Sequence, residues 1–557
     1  MCVTCNPLTV SFPATKDYCQ FLVNPVRRTS GDQNQAMEFI TERNTDEASG
    51  MLPILDRRHF FRLSSACAFL LNGRLHPETA RKVMSPPDRS VTRNRKNFVA
   101  IQVKPYAWVD EGIDQLLDNI QNRGGVNTVW AYTYDFSEER MTRNGNIPLP
   151  DHGKPGRPEF VGGAFYDYDP KYFRGTILKD FRSPDYGKFN VIAEVAPKVK
   201  ARGMDFFSWD YNNAFPIMMR SIPNFTEVAE VDVYGRRTTS PCFNHPDYRA
   251  HLTGKVESML GGYADLVDGY AWGCERMGPI GNMIGGGWAT RGICCFCHFC
   301  QARARERDIS VERARAGYKQ LDRLFSADAT RPSEGYFVTF WRLLLEYPEI
   351  LAWETLWTDS YHEVRSELYG TAKSIAPQKP FGFHIMQNMT FSPFYRAQED
   401  YSKTAEYADF LKLATYNNAA GPRLASFLDR LGATVFRDAS PQDFLPFFYK
   451  VMGMQEAPYD QLHTAGLTPD YLARETKRAI EGVHGSGCQI YPGIDIDVPT
   501  KMTDKRTKPE DVRRSVEAAF GAGANGVVLS REYVEMWLAN LTAAGDTLRQ
   551  IFAKSTT

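Results

Sequence analysis

From about residue 98, short apolar runs alternate with longer segments whose apolar residues recur at helical spacing. The pattern predicts a strand at NFVAIQVKPYAW, a helix at EGIDQLLDNIQNRGG and a second strand at VNTVWAYTYD. Continued along the chain, it predicts six more strands, at MDFFSWDYNN, LVDGYAWGCE, PFGFHIMQNM, DFLKLATYNN, CQIYPGIDIDVP and NGVVLSREY. Strands that alternate with amphipathic helices pair in parallel, so we expect a (β/α)8 TIM barrel with long loop insertions over residues 98–557.

An open doubly wound sheet is the alternative fold. It is disfavoured because no GxGxxG motif follows the first strand and no Walker sequence occurs, so nucleotide binding and an organic cofactor are not expected.

The first hundred residues have a different character. Residues 1–50 are polar and lack periodicity, which predicts a disordered or non-native upstream extension. Residues 51–97 include Arg57 and Arg58 ahead of a short apolar run, a pattern that predicts a twin-arginine export signal, with Met51 as the start and a linker after the signal. We therefore expect a periplasmic or extracellular protein. The alternative is an amphipathic helix with solvated arginines, which would leave the protein cytoplasmic.

Composition narrows the classes of partner. Lys plus Arg and Asp plus Glu both number 66, so neither nucleic acid nor an anionic membrane surface is expected as a partner. No run of about eighteen apolar residues would span a bilayer. The aromatic fraction of 13% suits a protein that stacks flat rings such as sugars. Composition does not indicate the oligomeric state.

Polar residues follow the predicted strands, and TIM-barrel active sites lie at the carboxyl ends of the strands. Carboxylates, amides and aromatic rings are the groups that hold a carbohydrate, although Asn and Asp also serve as ordinary turn residues. The rim also includes Asn213, Asn418 and Glu532. We predict substrate binding by Tyr134, Asp135, Asp210, Asn212, Trp272, Arg276, His384, Asn388, Tyr416, Asn417 and Arg531.

Glu275 is the predicted general acid, because it ends the apolar run GYAWGCE and would lie in a partly desolvated barrel mouth. Glycoside hydrolysis generally uses two carboxyl groups across the scissile bond. Asp495 and Asp497 stand at positions i and i+2 of the seventh strand, so on an extended chain both face the same side. One of them is predicted to be the base or nucleophile.

Four cysteines fall within CCFCHFC, residues 294–300. The CxCxxC spacing predicts a structural metal site, typically zinc, formed by Cys295, Cys297, Cys300 and Cys294. Cys242 or Cys274 is an additional candidate ligand from outside the run. A disulfide is the alternative, but clustering this tight gives poor geometry for pairing the cysteines with one another.

The strand ending in Glu275, the CxCxxC cluster and the Arg-rich segment QARARERDISVERARAGYKQL together resemble bacterial beta-galactosidases with cysteine-bound zinc. More closely, WGCERMGP, CFCHFC, FSPFYRAQEDY, YNNAAGPRL, PGIDIDVPT and GVVLSREYVEM resemble hypothetical glycosyl-hydrolase-like barrel proteins that carry twin-arginine signals. The resemblance implies that Glu275 is the acid/base. Cys274 replaces the asparagine that usually precedes that glutamate, and aspartates stand on the seventh strand where a glutamate nucleophile is usual.

The sequence therefore predicts a glycoside hydrolase that acts on an unidentified glycan. Two alternatives stay open. A non-catalytic carbohydrate-binding barrel would lack paired carboxyl groups at catalytic separation. A metal-dependent hydrolase would need several His and Asp ligands at the strand ends, where His384 is the one obvious histidine.

Overall fold

The computed structural model describes residues 97–136, 150–154, 160–211, 213, 215–285, 292–498, 501 and 503–554. The predicted extension and export signal, residues 1–96, lie outside these ranges, as does Asn212. Among the described helices, none combines the length and apolarity needed to cross a membrane.

Eight parallel strands form a closed barrel, which confirms the predicted fold. Each strand pairs with its neighbours in sequence, and the first pairs with the last through Phe98 opposite Gly526. The strands are β1 (Phe98–Val103), β2 (Thr128–Tyr132), β3 (Asp205–Tyr211), β4 (Gly269–Gly273), β5 (Phe381–Ile385), β6 (Phe410–Leu413), β7 (Gln489–Asp495) and β8 (Gly526–Glu532).

The connections between strands carry the helices and two short antiparallel ribbons. One ribbon pairs Tyr134–Asp135 with Gly163–Ala164, and the other pairs Ala229–Val231 with Arg237–Pro241. The longer helices span Val191–Ala201, Pro246–Leu260, Val311–Leu324, Tyr336–Glu346, Glu349–Ile375, Asn417–Gly432, Pro441–Met452, Pro469–Gly482, Pro509–Gly521 and Leu538–Lys554. The shorter ones are Pro105–Glu111, Ile113–Asp118, Phe215–Ser221, Pro279–Gly285, His298–Glu306, Asn388–Phe391, Pro393–Arg396, Tyr401–Thr404 and Leu462–Ala465.

Aromatic rings fill the inside of the barrel. Trp130 stacks on Trp209 with ring centroids 5.3 Å apart, and Phe98 stacks on Tyr491 at 4.2 Å. Glycine makes room for such rings, since a Cβ on Gly269 would lie 2.5 Å from the ring of Phe207. A second layer on the opposite faces of the strands, aliphatic on most strands and aromatic at Trp272 and Phe383, joins the barrel to its helices. The rings close the inside of the barrel below its mouth, where the strands end.

Candidate active site

A cavity of about 940 Å³ opens at the carboxyl ends of the barrel strands. Its walls come from seven of the eight strands or the segments that follow them, which is the position that TIM-barrel enzymes use for catalysis. Six predicted residues line it: Asp135, Glu275, His384, Asn388, Tyr416 and Arg531. Further lining residues include Gln102, Tyr132, Trp209, Tyr211, Asn213, Arg220, Thr238, Thr239, Gln387, Lys412, Arg423 and Glu532.

Glu275, two residues beyond the end of β4, is held by hydrogen bonds on both carboxylate oxygens. His384 Nε2 lies 2.7 Å from Oε1, and Asn213 donates to Oε2 at 3.3 Å. The Asn213 side chain also accepts the Glu275 backbone N–H at 2.8 Å. The asparagine therefore fixes both the backbone and the carboxylate of Glu275, although it comes from the segment after β3.

Lys412, on β6, lies behind His384. Its Nζ is 3.4 Å from His384 Nδ1 and donates to the Tyr416 hydroxyl. Burial lowers the pKa of His384 to about 4, and the charge of Lys412 acts in the same direction. The imidazole is therefore neutral at pH 7. Because a lysine faces Nδ1, the proton belongs on Nε2, where it is donated to Glu275.

These contacts decide the charge on Glu275. Burial raises the pKa of a carboxyl group, but the hydrogen bond from His384 and the charge of Arg423 oppose it. The net result is a pKa below the usual range for Glu275. Glu275 is therefore ionised at neutral pH, which suits a base or nucleophile better than the general acid that the sequence predicts.

A second carboxylate, Glu532, lies at the end of β8. It accepts a hydrogen bond from the Tyr132 hydroxyl at 2.7 Å. Lys104 Nζ, which follows β1, lies 3.5 Å from Glu532 Oε2 and 3.1 Å from Asp135 Oδ1. Both carboxylates are buried, and a single lysine contacts the two of them.

The sequence pattern placed Glu532 only on the rim, and it did not single out Lys104, Tyr132 or Lys412. Glu532 carries the same signal as Glu275, a carboxylate that ends an apolar strand. The sequence does not point to the two lysines, because a charged residue within or directly after a strand normally faces solvent, whereas each lysine here is 1% exposed.

Aromatic side chains form the wall beside Glu275. Trp209 stacks on Tyr211 with centroids 5.7 Å apart, and Tyr132 meets Trp209 edge-on at 6.2 Å. The His384 ring stands perpendicular to Tyr211 at 5.8 Å. Trp209 and Tyr132 are buried, whereas Tyr211 is partly exposed and offers a surface against which a sugar ring can stack.

Asp495 and Asp497, the aspartates predicted as the second catalytic carboxyl, are not among the cavity-lining residues. Asp495 accepts hydrogen bonds from the backbone N–H groups of Ala419 and Val498 and from the Thr507 hydroxyl, at 2.9 to 3.0 Å. Asp497 forms an ion pair with Arg506. Both carboxylates therefore hold loops at the barrel mouth together, and neither lines the cavity with Glu275.

Five other residues predicted to bind substrate also lie away from the cavity. Asp210 is buried against Lys255 and the Tyr270 hydroxyl, and Arg276 is buried in an ion pair with Glu230. Three more belong to the packed interior: Tyr134, which hydrogen-bonds Tyr166, Trp272 in the core, and Asn417, which donates to Leu467 O.

Cys242, Cys295, Cys297 and Cys300 form a buried cluster, with sulfur atoms all within 4.8 Å of one another. Cys242 Sγ lies 3.5 Å from the sulfur atoms of both Cys297 and Cys300. A tetrahedral zinc with Zn–S bonds of about 2.3 Å requires sulfur separations of about 3.8 Å, so these positions fit such an ion. Asn244 supports the cluster by donating its backbone N–H to Cys242 Sγ and its side-chain amide to Cys300 Sγ, both at 3.3 Å.

Cys294, one of the predicted ligands, is buried but does not belong to this cluster. Its place is taken by Cys242, which the sequence left as one of two outside candidates. Among the described residues, the four-cysteine cluster is the one group of three or more Cys, His, Asp or Glu side chains placed to hold an ion.

The cysteine cluster is connected to the loop that carries Glu275. Arg276 donates to Pro241 O at 2.6 Å, and Cys242 follows Pro241 directly. On the other side, the Tyr361 hydroxyl donates to Cys274 O at 2.8 Å. Both neighbours of Glu275 are thus tied to rigid parts of the structure.

No family model matches the chain, and no curated protein does. Solved structures do. A beta-galactosidase from the haloarchaeon Halorubrum lacusprofundi is 14% identical with a TM-score of 0.48, covering 82% of this chain and 58% of its own. The Marinomonas ef1 beta-galactosidase is 12% identical with a TM-score of 0.46, covering 82% and 60%. The Paenibacillus thiaminolyticus alpha-L-fucosidase isoenzyme 2 is 10% identical with a TM-score of 0.42, covering 83% and 50%. The chain thus spans less than two thirds of the length of each.

Proposed function

We propose that the protein is a glycoside hydrolase that cleaves a glycan with Glu275 and Glu532 as its pair of carboxyl groups. The observation that carries the proposal is that both carboxylates line one cavity at the barrel mouth, together with the partly exposed ring of Tyr211. Glycosidases generally cleave a glycosidic bond with two carboxyl groups that face the bound sugar ring.

In this mechanism Glu275 acts in its ionised form. The neutral His384 donates to it, Asn213 orients it, and Glu275 then attacks the anomeric carbon or removes a proton from water. Glu532, the other carboxyl group of the proposed pair, protonates the leaving oxygen from its position between Tyr132 and Lys104. The roles differ from those predicted from sequence, where Glu275 was the acid and a β7 aspartate its partner.

Zinc is proposed for the cysteine cluster. Cys242, Cys295, Cys297 and Cys300 supply four sulfur donors and leave no coordination position open, which is typical of a structural ion. The ion would hold the ribbon that ends at Pro241 and the segment after Glu275 together. Export through a twin-arginine signal at residues 51–97 also remains a proposal, and it predicts periplasmic recovery of a reporter fused after residue 97.

The test is a screen of aryl glycosides and oligosaccharides with the wild-type protein and the variants Glu275→Gln and Glu532→Gln. We expect a Glu275→Gln loss of at least about a thousandfold in kcat on any substrate found, with the fold retained by circular dichroism. Asp497→Asn is the matched control, since that carboxylate lies outside the cavity. Glu275→Gln at full activity would end the proposal. Binding of a glycan without turnover would instead favour the non-catalytic carbohydrate-binding barrel.

A further inference from the structure

The helix Tyr336–Glu346 carries large apolar side chains on its solvent face as well as on the face that packs against the protein. The packed face consists of Tyr336, Phe340 and Leu344. Four more apolar side chains are 45% to 68% exposed: Phe337, Val338, Trp341 and Leu345. At 3.6 residues per turn, these four fall within one stripe of about 100° on the helix surface. The stripe is therefore separate from the contacts that hold the helix in place.

A second helix, Pro441–Met452, has the same feature. Phe447 and Val451, which are one turn apart, are 65% and 54% exposed. Phe444 and Phe448, on the packed side of the same helix, are buried. Here too, apolar positions continue beyond the packed face into solvent.

Phe436 joins the two helices. Its ring lies 5.7 Å from the ring of Phe337 on the first helix and 5.3 Å from that of Phe444 on the second. Asp438, three residues before the second helix, accepts the backbone N–H groups of Tyr336 and Phe337 with Oδ2. Both helices therefore begin beside Asp438, and their exposed stripes border the same aromatic cluster. We call the six exposed side chains the apolar face: Phe337, Val338, Trp341, Leu345, Phe447 and Val451.

The apolar face is large for the surface of a single chain. Half of the twelve large apolar side chains that are exposed in the described ranges belong to it. The six expose about 600 Å² together, since a large side chain that is half exposed offers roughly 100 Å². The largest apolar patch on a typical monomer covers about 300 to 600 Å² and often marks an interaction site. None of the six lines the cavity, so the face is separate from the proposed active site.

We infer that the apolar face binds the same face of a second copy of this chain, in a dimer with twofold symmetry. A standard interface buries about 800 Å² of each partner, and about 65% of the area of a homodimer interface is apolar. The apolar face supplies that amount of apolar area by itself. A twofold contact places one patch against an identical patch, and an apolar surface is complementary to itself.

The charges around the face also suit a second copy. Each of the two helices carries one exposed charge of either sign: Arg342 and Glu346 on the first, Asp443 and Lys450 on the second. In a twofold contact, a cation of one copy can lie opposite an anion of the other. A strongly acidic or basic partner would find no complementary charge here. Residues 1–50 of this chain are polar and lack the periodicity of a matching apolar stripe.

Sedimentation velocity of the full chain, in a dilution series from high to low micromolar concentration, tests the inference without any substrate. We expect a particle of twice the chain mass that dissociates on dilution. Trp341→Glu and Phe447→Glu, made separately on the two helices, should each raise the dissociation constant about a hundredfold or more. The reason is that a central aromatic side chain is a typical hot spot and each substitution occurs twice in a twofold dimer.

Two further variants control for the change itself. Trp341→Phe keeps an aromatic ring on the face and should remain dimeric. Ile177→Glu places the same new charge at an exposed apolar side chain outside the face and should leave the dissociation constant unchanged. Because all the replaced side chains are exposed, we expect each variant to keep the circular dichroism spectrum of the wild type.

Two results would overturn the inference: a wild-type chain that stays monomeric over the whole series, or a dimer that neither Trp341→Glu nor Phe447→Glu weakens. A monomer that binds a hydrophobic dye at this face only after limited proteolysis removes residues 1–96 would overturn it as well. In that case the face would belong to the chain's own N-terminal segment.

Discussion

Replacing Cys242 by alanine distinguishes the ligand set of the folded protein from the set predicted by sequence spacing. Cys242 lies more than fifty residues from CCFCHFC, yet its sulfur is 3.5 Å from those of Cys297 and Cys300. Cys294, by contrast, is adjacent to Cys295 in sequence but outside the cluster. If zinc binds as proposed, Cys242→Ala should lose the metal and Cys294→Ala should keep it.

The size of the effect follows from the cluster. With three sulfur atoms remaining, the tetrahedral shell of a structural zinc is incomplete, and the ion is lost or weakly held. If the free zinc concentration is about a thousandfold above the dissociation constant of the intact site, loss of the metal lowers the free energy of unfolding by about 4 kcal/mol. At about 2 °C per kcal/mol for a large domain, Cys242→Ala should unfold about 8 °C below the wild type. Cys294→Ala also removes one buried sulfur atom but leaves the four proposed zinc ligands intact, so it should lower the free energy of unfolding by only about 1 kcal/mol.

The assay is metal content per chain by plasma mass spectrometry, combined with thermal unfolding in the presence and absence of a chelator. We expect one zinc per chain in the wild type and in Cys294→Ala, and a chelator-induced fall in melting temperature only for those two proteins. Cys242→Ala with one tightly held zinc, or Cys294→Ala without any, would refute the four-cysteine assignment.

Three further outcomes are expected. His384→Phe removes the hydrogen bond that offsets the effect of burial on the pKa of Glu275, so that pKa should rise by about one unit or more. The acidic limb of the kcat/KM profile should then move to higher pH. An unmoved limb would exclude His384 as the positioning group. Lys412→Met should abolish any change in kcat/KM near pH 7, where the wild-type lysine gives up its proton as pH rises. Asp495→Asn should lower the free energy of unfolding in urea by about 2 kcal/mol, because it disturbs three buried hydrogen bonds. Its kcat should stay near that of the wild type. A large fall in kcat with normal stability would return Asp495 to the chemistry.

Local pattern was sufficient for the fold and for one of the two proposed catalytic carboxylates. Short apolar runs between helical repeats predicted eight strands, and the barrel contains eight, because each strand must bury both faces whatever its partners are. Glu275 was found because a carboxylate ended an otherwise apolar strand. The CxCxxC spacing found three cluster members, since residues this close in sequence remain close in any fold.

What the sequence could not decide was which distant side chains meet. The aspartates of β7 looked paired, but the strand ends at Asp495, so the alternation that would align Asp497 with it stops there. Glu532, Lys104 and Asp135 come from three segments of the chain and meet only when β8 closes on β1. Cys242 reaches its partners through the folding of the ribbon before it. Sequence alone determined where each strand lies along the chain. Barrel closure decided which strand ends share a cavity, because contacts between distant segments depend on the register and closure of the whole sheet.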